Sequence, residues 1–454
     1  MVNFDLLAPE LCSVVPGSCG RGGDNDRSTT VGTAFDTWSV RRGLVHMSTI
    51  LAGSHRLAVD GGQPIRTRPM PGWPYFDEAE LEVVVEVLRS RKVNYWTGEH
   101  GRAFEHEFAD RVGSPYAVAL ANGTLALEIA LRAVGVTTGS EVIVPSASFI
   151  ATASAVVACG ARPVVVDVDR DSQCLTAESV EPAISARTMA VVPVHLAGYP
   201  ADMWPLMELA RRRGLRVVED CAQAHGAARG GHGVGTFGDI AAWSFCQDKI
   251  MTTAGEGGAV TTAEKGLWRR CWEYKDHGKS YQSTFERAHS PGFRWLHDSF
   301  GTNARMTEIQ AAVGRSQLGK LDRWVSRRRE HADTLRTALS ELPAVRLPDI
   351  PADVQHAFYR FYVHLRPAHL RPGWDRDRVV AAICAEGVPC QHGGCTEIYR
   401  ERAFDAVGRP CQPLPVAAEL GRTSLTLPVH PSLDDRDVAD VATAVRRVCE
   451  VATG

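Results

Sequence analysis

Lysine is scarce in this chain. Of 50 basic residues, only Lys92, Lys249, Lys265, Lys275, Lys279 and Lys320 are lysines; the other 44 are arginines. Arginine keeps its charge, whereas lysine can release a proton and act as a nucleophilic amine. Each lysine therefore raises the question of why arginine would not serve. Lys249 lies in SFCQDKIMTTAGEGG, just past an apolar run, with Ser244 five residues before it and Gly255, Gly257 and Gly258 after it. Glycines permit tight turns that hold a side chain in place. A lysine held in such a pocket can have its pKa lowered and form a Schiff base. A surface lysine is the plainer alternative, but with six lysines and this setting the functional reading is preferred.

Three other groups share that kind of position. LRVVEDCAQAHG ends an apolar run on Asp220 and places Gln223 three residues on, within one helical turn. A carboxylate there needs a cation, a metal or a helix cap to offset its burial. ANGTLALEIAL opens a helix directly after a strand, with Asn122 as N-cap and Gly123 and Thr124 following. A helix N-terminus with free N–H groups suits a phosphate, although an ordinary capped helix has the same look. GTNARMTEIQAA offers Asn303 and Arg305 before a long helix, with Thr307 an equally good cap.

These residues need elements to position them. From about residue 115, short β-branched runs alternate with helical stretches. YAVAL (116–120), EVIVP (141–145), RPVVVDVD (162–169), MAVVPVH (189–195), LRVVED (215–220) and IAAWSF (240–245) read as strands. Helices are expected from Asn122, from Ser148 to Cys159, and near 177–184 and 202–213. Apolar runs without strict alternation suit strands buried on both faces. The alternation implies an α/β fold, a mostly parallel sheet covered by helices, with ligands at the carboxyl ends of its strands. Beyond it come a helical pattern from Met306 to Arg336, an alternating strand in AFYRFYVHL, and helices near 376–386 and 434–452. These read as a smaller α+β domain. The expected organisation is an extension over 1–55, a large domain over 56–320 and a small C-terminal domain over 321–454. Residues 1–46, with PGSCGRGGDNDRSTTVGT, show no helix or strand period and are expected to be disordered, and Met47 is a possible start.

A lysine, a carboxylate and a phosphate cradle at strand ends together meet the needs of pyridoxal 5'-phosphate. The cofactor requires a lysine imine, a carboxylate that keeps the pyridine nitrogen protonated, and a grip on its phosphate. The freed lysine then shuttles a proton. Gly233-Val-Gly235-Thr-Phe-Gly238 matches a dinucleotide fingerprint, but it precedes a strand and opens no helix. A nicotinamide oxidoreductase is discounted on that ground.

NGTLAL, EVIVPSASFIATASAV, PVHLAGYPADM, VVEDCAQAHGA, SFCQDKIMTTAGEGG and GTNARMTEIQAA, in this order, resemble the DegT/DnrJ/EryC1/StrS sugar aminotransferase family over about residues 70–320. The resemblance implies the fold type I architecture of pyridoxal phosphate enzymes. It implies that Lys249 carries the cofactor and acts as acid and base, that Asp220 pairs with the pyridine nitrogen, and that Gln223 bonds the ring hydroxyl. Phe149 would stack on the ring; otherwise it is a core aromatic. Gly123, Thr124 and Ser244 would hold the phosphate. Asn303 would reach the phosphate of the neighbouring subunit, implying a homodimer with shared active sites. His195 matches a family position near the site. A dehydratase branch has histidine where this chain has Lys249, so amino transfer is favoured.

DGGQPIRTRPMPGWPYFDEAE resembles the opening of cyclitol and aminohydroxybenzoate enzymes. YKDHGKSY, FRWLHDSFGTNARM and ELGRTSLTLPVHPSL look more like enzymes aminating C4 of a nucleotide-linked 4-keto-6-deoxy sugar. The latter is preferred, with a dTDP sugar as acceptor, glutamate as donor, and an antibiotic aminosugar pathway suiting the arginine-rich composition. His277, Lys279, Tyr399 and His430 are substrate-side candidates, with Arg305 as a carboxylate or phosphate partner. Each could instead be a solvated surface residue. The alternatives are a glutamine-dependent scyllo-inosose aminotransferase, an aminohydroxybenzoate synthase-like enzyme, or a cofactor-binding regulator without turnover.

The remaining composition narrows the field. Fifty basic against 53 acidic residues gives a net charge of −3, unlike a general nucleic-acid binder. No apolar run reaches the ~18 residues of a membrane span, and the first residues lack a secretory pattern. A cytoplasmic protein is expected. The twelve cysteines read as reduced core thiols. Cys390, His392 and Cys395 lack a second pair at zinc spacing, so no metal is assigned.

Overall fold

The computed structural model describes residues 56–453. The expectations for residues 1–55 lie outside the described residues. Residues 56–453 belong to one compact unit with two sheet-centred cores.

The chain enters through helices α1 (Glu78–Ser90) and α2 (His100–Val112), which the sequence reading missed. Strands β1 (Tyr116–Leu120), β2 (Glu141–Pro145), β3 (Arg162–Val166), β4 (Thr188–Val191) and β5 (Arg216–Asp220) follow. A small hairpin pairs β6 (Ala228–Arg229) with β7 (His232–Gly233), and then come β8 (Ile240–Ser244) and β9 (Gly258–Thr262). The main sheet has the order β1-β9-β8-β5-β4-β2-β3. β3, β2, β4, β5 and β8 pair in parallel, while β9 runs antiparallel to both β8 and β1. β2 and β8 are buried at every position, as strands covered on both faces must be.

Between the strands lie α3 (Gly123–Ala133), α4 (Ala151–Ala158), the short α5 (Ala177–Val180) and α6 (Met203–Arg213); α7 (Lys265–Lys275) follows β9. α4 begins three residues later than expected, leaving Ser148 and Phe149 on the approach to it. Alternation along β1 shows the layering. Val118 and Leu120 join a core with α3, α4 and α7, whereas Ala117 and Ala119 face a core with α2 and the later helices.

The long helical pattern after Met306 is two helices, α8 (Glu308–Leu318) and α9 (Leu321–Leu339). Thr307 caps α8: its side chain accepts the Gln310 N–H and the Gln310 side chain answers on the Thr307 N–H. That excludes the cap reading for Asn303 and Arg305. α9 spans both cores, packing Trp324 and Val325 against the main sheet and Leu335 and Leu339 into the second core. The second sheet has the order β10-β12-β14-β13, built from β10 (Val345–Arg346), β12 (Phe361–Leu365), β13 (Gln391–His392) and β14 (Ser424–Leu427). β11 (Val354–Gln355) joins the small hairpin instead. α10 (Arg376–Ala385) and α12 (Asp435–Thr453) cover the second sheet, and α11 (Pro415–Thr423) precedes β14. Leu57 also packs into this core.

Ten cysteines are described, all free. Six are buried, but Cys384, Cys395 and Cys411 are exposed and Cys246 is half-buried, so the core-thiol expectation fails for four.

Candidate active site

Asp220 is the last residue of β5 and Ser244 the last of β8, and these strands pair in parallel. β1 delivers the chain to α3, where the Asn122 side chain accepts the Leu125 N–H at 2.9 Å. Gly123 and Thr124 are the first two residues of α3, so their N–H groups have no acceptor within the helix. A Cβ on Gly123 would stand 2.6 Å from the Ser244 Cβ, and one on Gly258 2.3 Å from the Asn122 carbonyl oxygen. Glycine at both positions thus lets the helix start settle on the ends of β8 and β9. Donors from Gly123, Thr124 and Ser244 converge there, the arrangement an anion needs.

Asp220 is 4% exposed. One carboxylate oxygen accepts the Thr152 hydroxyl at 2.9 Å, and Thr152 in turn bonds Ser148 at 2.7 Å. The other oxygen accepts the Ala222 N–H at 3.1 Å, a local turn rather than a helix cap. Among the described residues no cation lies within ion-pair distance of it, and burial pushes its pKa up. Such a carboxylate is held by neutral donors and lacks its counter-charge, so a cationic ring N–H fits it. Gln223 accepts the Ala197 N–H through Oε1 at 2.7 Å, leaving its NH2 group to donate. Phe149 follows the end of β2 and is 62% exposed, which removes the core-aromatic alternative.

Lys249 is largely covered, with a side chain 14% exposed. Its Nζ lies 3.9 Å from Asp248 Oδ1 and 4.9 Å from the centre of the Tyr359 ring. Burial favours the neutral amine, but Tyr359, Asp248, Cys246 and Asp220 together outweigh it and raise the pKa. This corrects the expectation of a lowered pKa. Its backbone is held from outside the loop, because the Trp73 indole N–H donates to the Lys249 carbonyl at 2.8 Å. Around Trp73 stand Trp324, edge-on at 5.1 Å, the Arg328 guanidinium at 5.0 Å and the stacked His430 ring at 6.1 Å.

The substrate-side candidates divide. Asn303 is exposed and bridges Asp276, while its neighbour Ala304 accepts the Ala121 N–H at 2.9 Å, which brings the segment beside the start of α3. Arg305 donates to Asp276 Oδ1 at 2.6 Å, and Lys279 Nζ lies 3.7 Å from the same oxygen and 4.1 Å from the Trp96 ring centre. His277 is exposed at a left-handed φ of 61°. Tyr399 is buried, and its hydroxyl donates to Glu397 at 2.6 Å and accepts the Leu414 N–H at 3.2 Å, so it has nothing to offer a sugar. His195 is fully buried and both ring nitrogens are engaged, so it also touches no ligand. His430 remains beside the Lys249 support; burial, then Arg328, push its pKa down to about 4.

Sequence reasoning missed several residues here. Thr152 and Ser148 looked like ordinary helix residues. Trp73 is 176 positions from Lys249. The Tyr359 hydroxyl donates to Asp248, and Arg360 Nη2 lies 3.4 Å from the same carboxylate. Both residues sat inside a segment that read only as a strand.

Residues 74–446 match the profile of the DegT/DnrJ/EryC1/StrS aminotransferase family. The chain is 40% identical over 351 residues, 77% of its length and 89% of the relative's, to UDP-N-acetyl-3-dehydro-alpha-D-glucosamine 3-aminotransferase of Acidithiobacillus ferrooxidans. It is 36% identical, over 87% of its length and 97% of the relative's, to L-glutamine:2-deoxy-scyllo-inosose aminotransferase of Streptomyces kanamyceticus. The fold superposes on an aminotransferase from Psychrobacter cryohalolentis with a TM-score of 0.83 and 47% identity, covering 85% of this chain and 100% of that one.

Proposed function

The chain belongs to the DegT/DnrJ/EryC1/StrS aminotransferase family, whose cofactor is pyridoxal phosphate, and from that premise we propose that it aminates a nucleotide-linked keto-sugar. The observation that carries the active-site reading is the pairing of a covered amine, Lys249, with a buried carboxylate lacking a counter-charge, Asp220. Both stand at the carboxyl ends of neighbouring parallel strands.

When bound, pyridoxal phosphate supplies an electron-withdrawing ring that stabilises negative charge on the carbon next to the transferred nitrogen. The protein's own residues do the rest. Asp220 keeps a proton on the ring nitrogen, with the Thr152 hydroxyl fixing the carboxylate's orientation. Gln223 turns its NH2 toward the ring oxygen because its carbonyl is already bonded to Ala197. Phe149 would offer a ring face, and Gly123, Thr124 and Ser244 would donate to the phosphate. Lys249 would hold the cofactor through Nζ and, when its amine is free, would carry a proton to and from the reacting carbon. A second copy of the chain supplies Asn303.

We assign dTDP-4-keto-6-deoxyglucose as acceptor and glutamate as donor, with Arg305, Lys279 and His277 on the substrate side. The test is a panel of nucleotide keto-sugars and inososes, each with glutamate and with glutamine. The expected outcome is amination of the dTDP sugar with glutamate and little use of scyllo-inosose. The free sugar should also be poor, since the nucleotide supplies binding energy away from the reacting carbon. A second reading, a glutamine-dependent inosose aminotransferase, rests on the near full-length match to the S. kanamyceticus enzyme. Efficient turnover of the inosose with glutamine, and none of the nucleotide sugar, would establish it instead.

A further inference from the structure

His195 and Glu219, both buried, meet the partly exposed Gly233–Gly238 segment on the opposite face of β5 from Asp220. Glu219 precedes Asp220 in the strand, so the two side chains point to opposite faces. Glu219 is fully buried and its carboxylate is saturated. Oε1 accepts the Phe237 N–H at 2.8 Å and the Gly238 N–H at 2.7 Å; Oε2 accepts the Gly235 N–H at 2.8 Å and meets His195 Nε2 at 3.0 Å. The glycine-rich segment that imitates a dinucleotide fingerprint therefore wraps a carboxylate of its own chain. Cys221 lies close enough to complete a three-ligand metal set. Four N–H donors on Glu219 leave it no free acceptor for an ion.

The hydrogen bonds of the His195 ring select one tautomer. Its Nδ1 accepts the Ala201 N–H at 3.0 Å, so the ring proton is on Nε2 and is donated to Glu219. The ring thus ties the start of the 195–201 loop to its end and to β5. Between those ends is a tight turn, Leu196–Gly198, with Ala197 at a left-handed φ of 56° and Gly198 at 90°. A non-glycine residue such as Ala197 keeps that conformation only when its surroundings enforce it. The turn uses both faces of one peptide unit's neighbourhood: the Ala197 N–H donates to Gln223 Oε1 at 2.7 Å, and the Ala197 carbonyl accepts the Tyr359 N–H at 2.9 Å. Tyr359 is the residue whose ring faces Lys249.

We propose that His195 is a positioning residue that, through the strained turn at Ala197, orients Gln223 as a donor toward the cofactor and seats Tyr359 against Lys249. This rests on the active-site reading above.

The experiment compares His195→Leu, His195→Gln, His195→Asn, Gln223→Leu and the His195→Leu/Gln223→Leu double variant with the wild type. Cofactor Kd is read by absorbance titration, the rigidity of bound cofactor by its visible circular dichroism, and fold stability by Tm. His195→Leu should weaken cofactor binding about five- to tenfold, the size of one lost hydrogen bond, and diminish the visible dichroism. Gln223→Leu should do the same, and the double variant should be no worse than either, because both remove one interaction. His195→Gln, long enough to donate and accept, should recover most of the signal, and the shorter Asn should not. If His195→Leu fails to fold, the Gln and Asn pair decides alone. Equal behaviour of that pair, additive losses in the double variant, or a lowered Tm with unchanged Kd and dichroism would each overturn the proposal. A wild-type chain that binds no cofactor would remove the active-site reading and this inference with it.

Discussion

The scarce lysines show what each position demands of a cation. Lys275 is fully buried, with Nζ 2.7 Å from Glu105 and 3.9 Å from the centre of the Tyr95 ring. Lys320 reaches both oxygens of Glu80, at 2.6 and 2.7 Å. A compact ammonium fits these places, where a planar guanidinium would need more room. Lys249 has no carboxylate at close hydrogen-bonding distance and instead faces the Tyr359 ring, with Asp248 Oδ1 3.9 Å away. Lys249→Ala should therefore leave the fold intact while removing the absorbance of the covalently held cofactor. Turnover should fall at least about a hundredfold, the usual worth of a positioned acid–base group. Lys249→Arg should fail equally, for it cannot supply a neutral amine. Near-normal transamination by either variant would show that another residue is the nucleophile.

Element ends do most of the positioning. α3 is capped by Asn122 and begins on Gly123 because Ser244 leaves no room for a Cβ there, just as Asn122 leaves none at Gly258 on β9. Gly123→Ala should separate two effects. The added methyl would press on Ser244, displacing the donors proposed for the phosphate, while elsewhere the helix start is open. Cofactor affinity should fall by more than tenfold, with a Tm change of only a few degrees, since a single small overlap costs about 1–3 kcal/mol. Unchanged affinity, measured by titration of the cofactor-free protein, would place the phosphate elsewhere. This end of the site was legible in the sequence, because caps and glycines act within a few residues of where they are read. The Trp73 support was not, because nothing near residue 73 refers to Lys249.

At the scale of the whole molecule, two properties follow. Among the described residues burial lowers the pKa of five histidines: His225, His356 and His364 are pushed down to about 3, His430 to about 4, and His331 in the same direction. The unfolded chain binds protons at these rings near pH 6.5, so it takes up protons that the folded chain refuses. Their contribution to stability is complete above about pH 6.5 and declines as pH falls toward 4. Tm of the cofactor-free protein should drop across that window. His225→Gln, at a ring with no hydrogen-bond partner among the described residues, should flatten the decline. A slope unchanged by this substitution would assign the acid sensitivity to other groups.

The second property is assembly. Asn303 is exposed in the single chain, yet its backbone runs beside the start of α3 in the same chain, so cis and trans roles need separating. Asn303→Asp sets a negative charge against a phosphate, and Lys249→Ala removes the nucleophile; each alone should be inactive. In a heterodimer of the two variants, a trans role gathers both lesions into one site and leaves the other whole. Recovered activity in the purified heterodimer is the expected result. Activity no higher than that of either parent would return Asn303 to a cis role or remove it from the site.

What the sequence by itself determined is local or periodic. The buried β-branched runs became strands that begin within a residue of their expected starts, since continuous apolar character leaves a strand no polar face to turn outward, but β3 and β4 stop at Val166 and Val191, short of the expected 169 and 195. Asn122, Asp220, Ser244 and Lys249 could be read because strand ends are written in the chain where the apolar run stops. The pairing of β9 between β1 and β8, the break of one helical pattern into α8 and α9, and the burial of His195 and Tyr399 were decided by packing between distant segments. The same is true of Lys249's charge. Asp248 beside it and Asp220 from β5 set negative charge near the amine, Tyr359 from 110 positions further along lays its ring against it, and only the folded chain brings those groups to one amine.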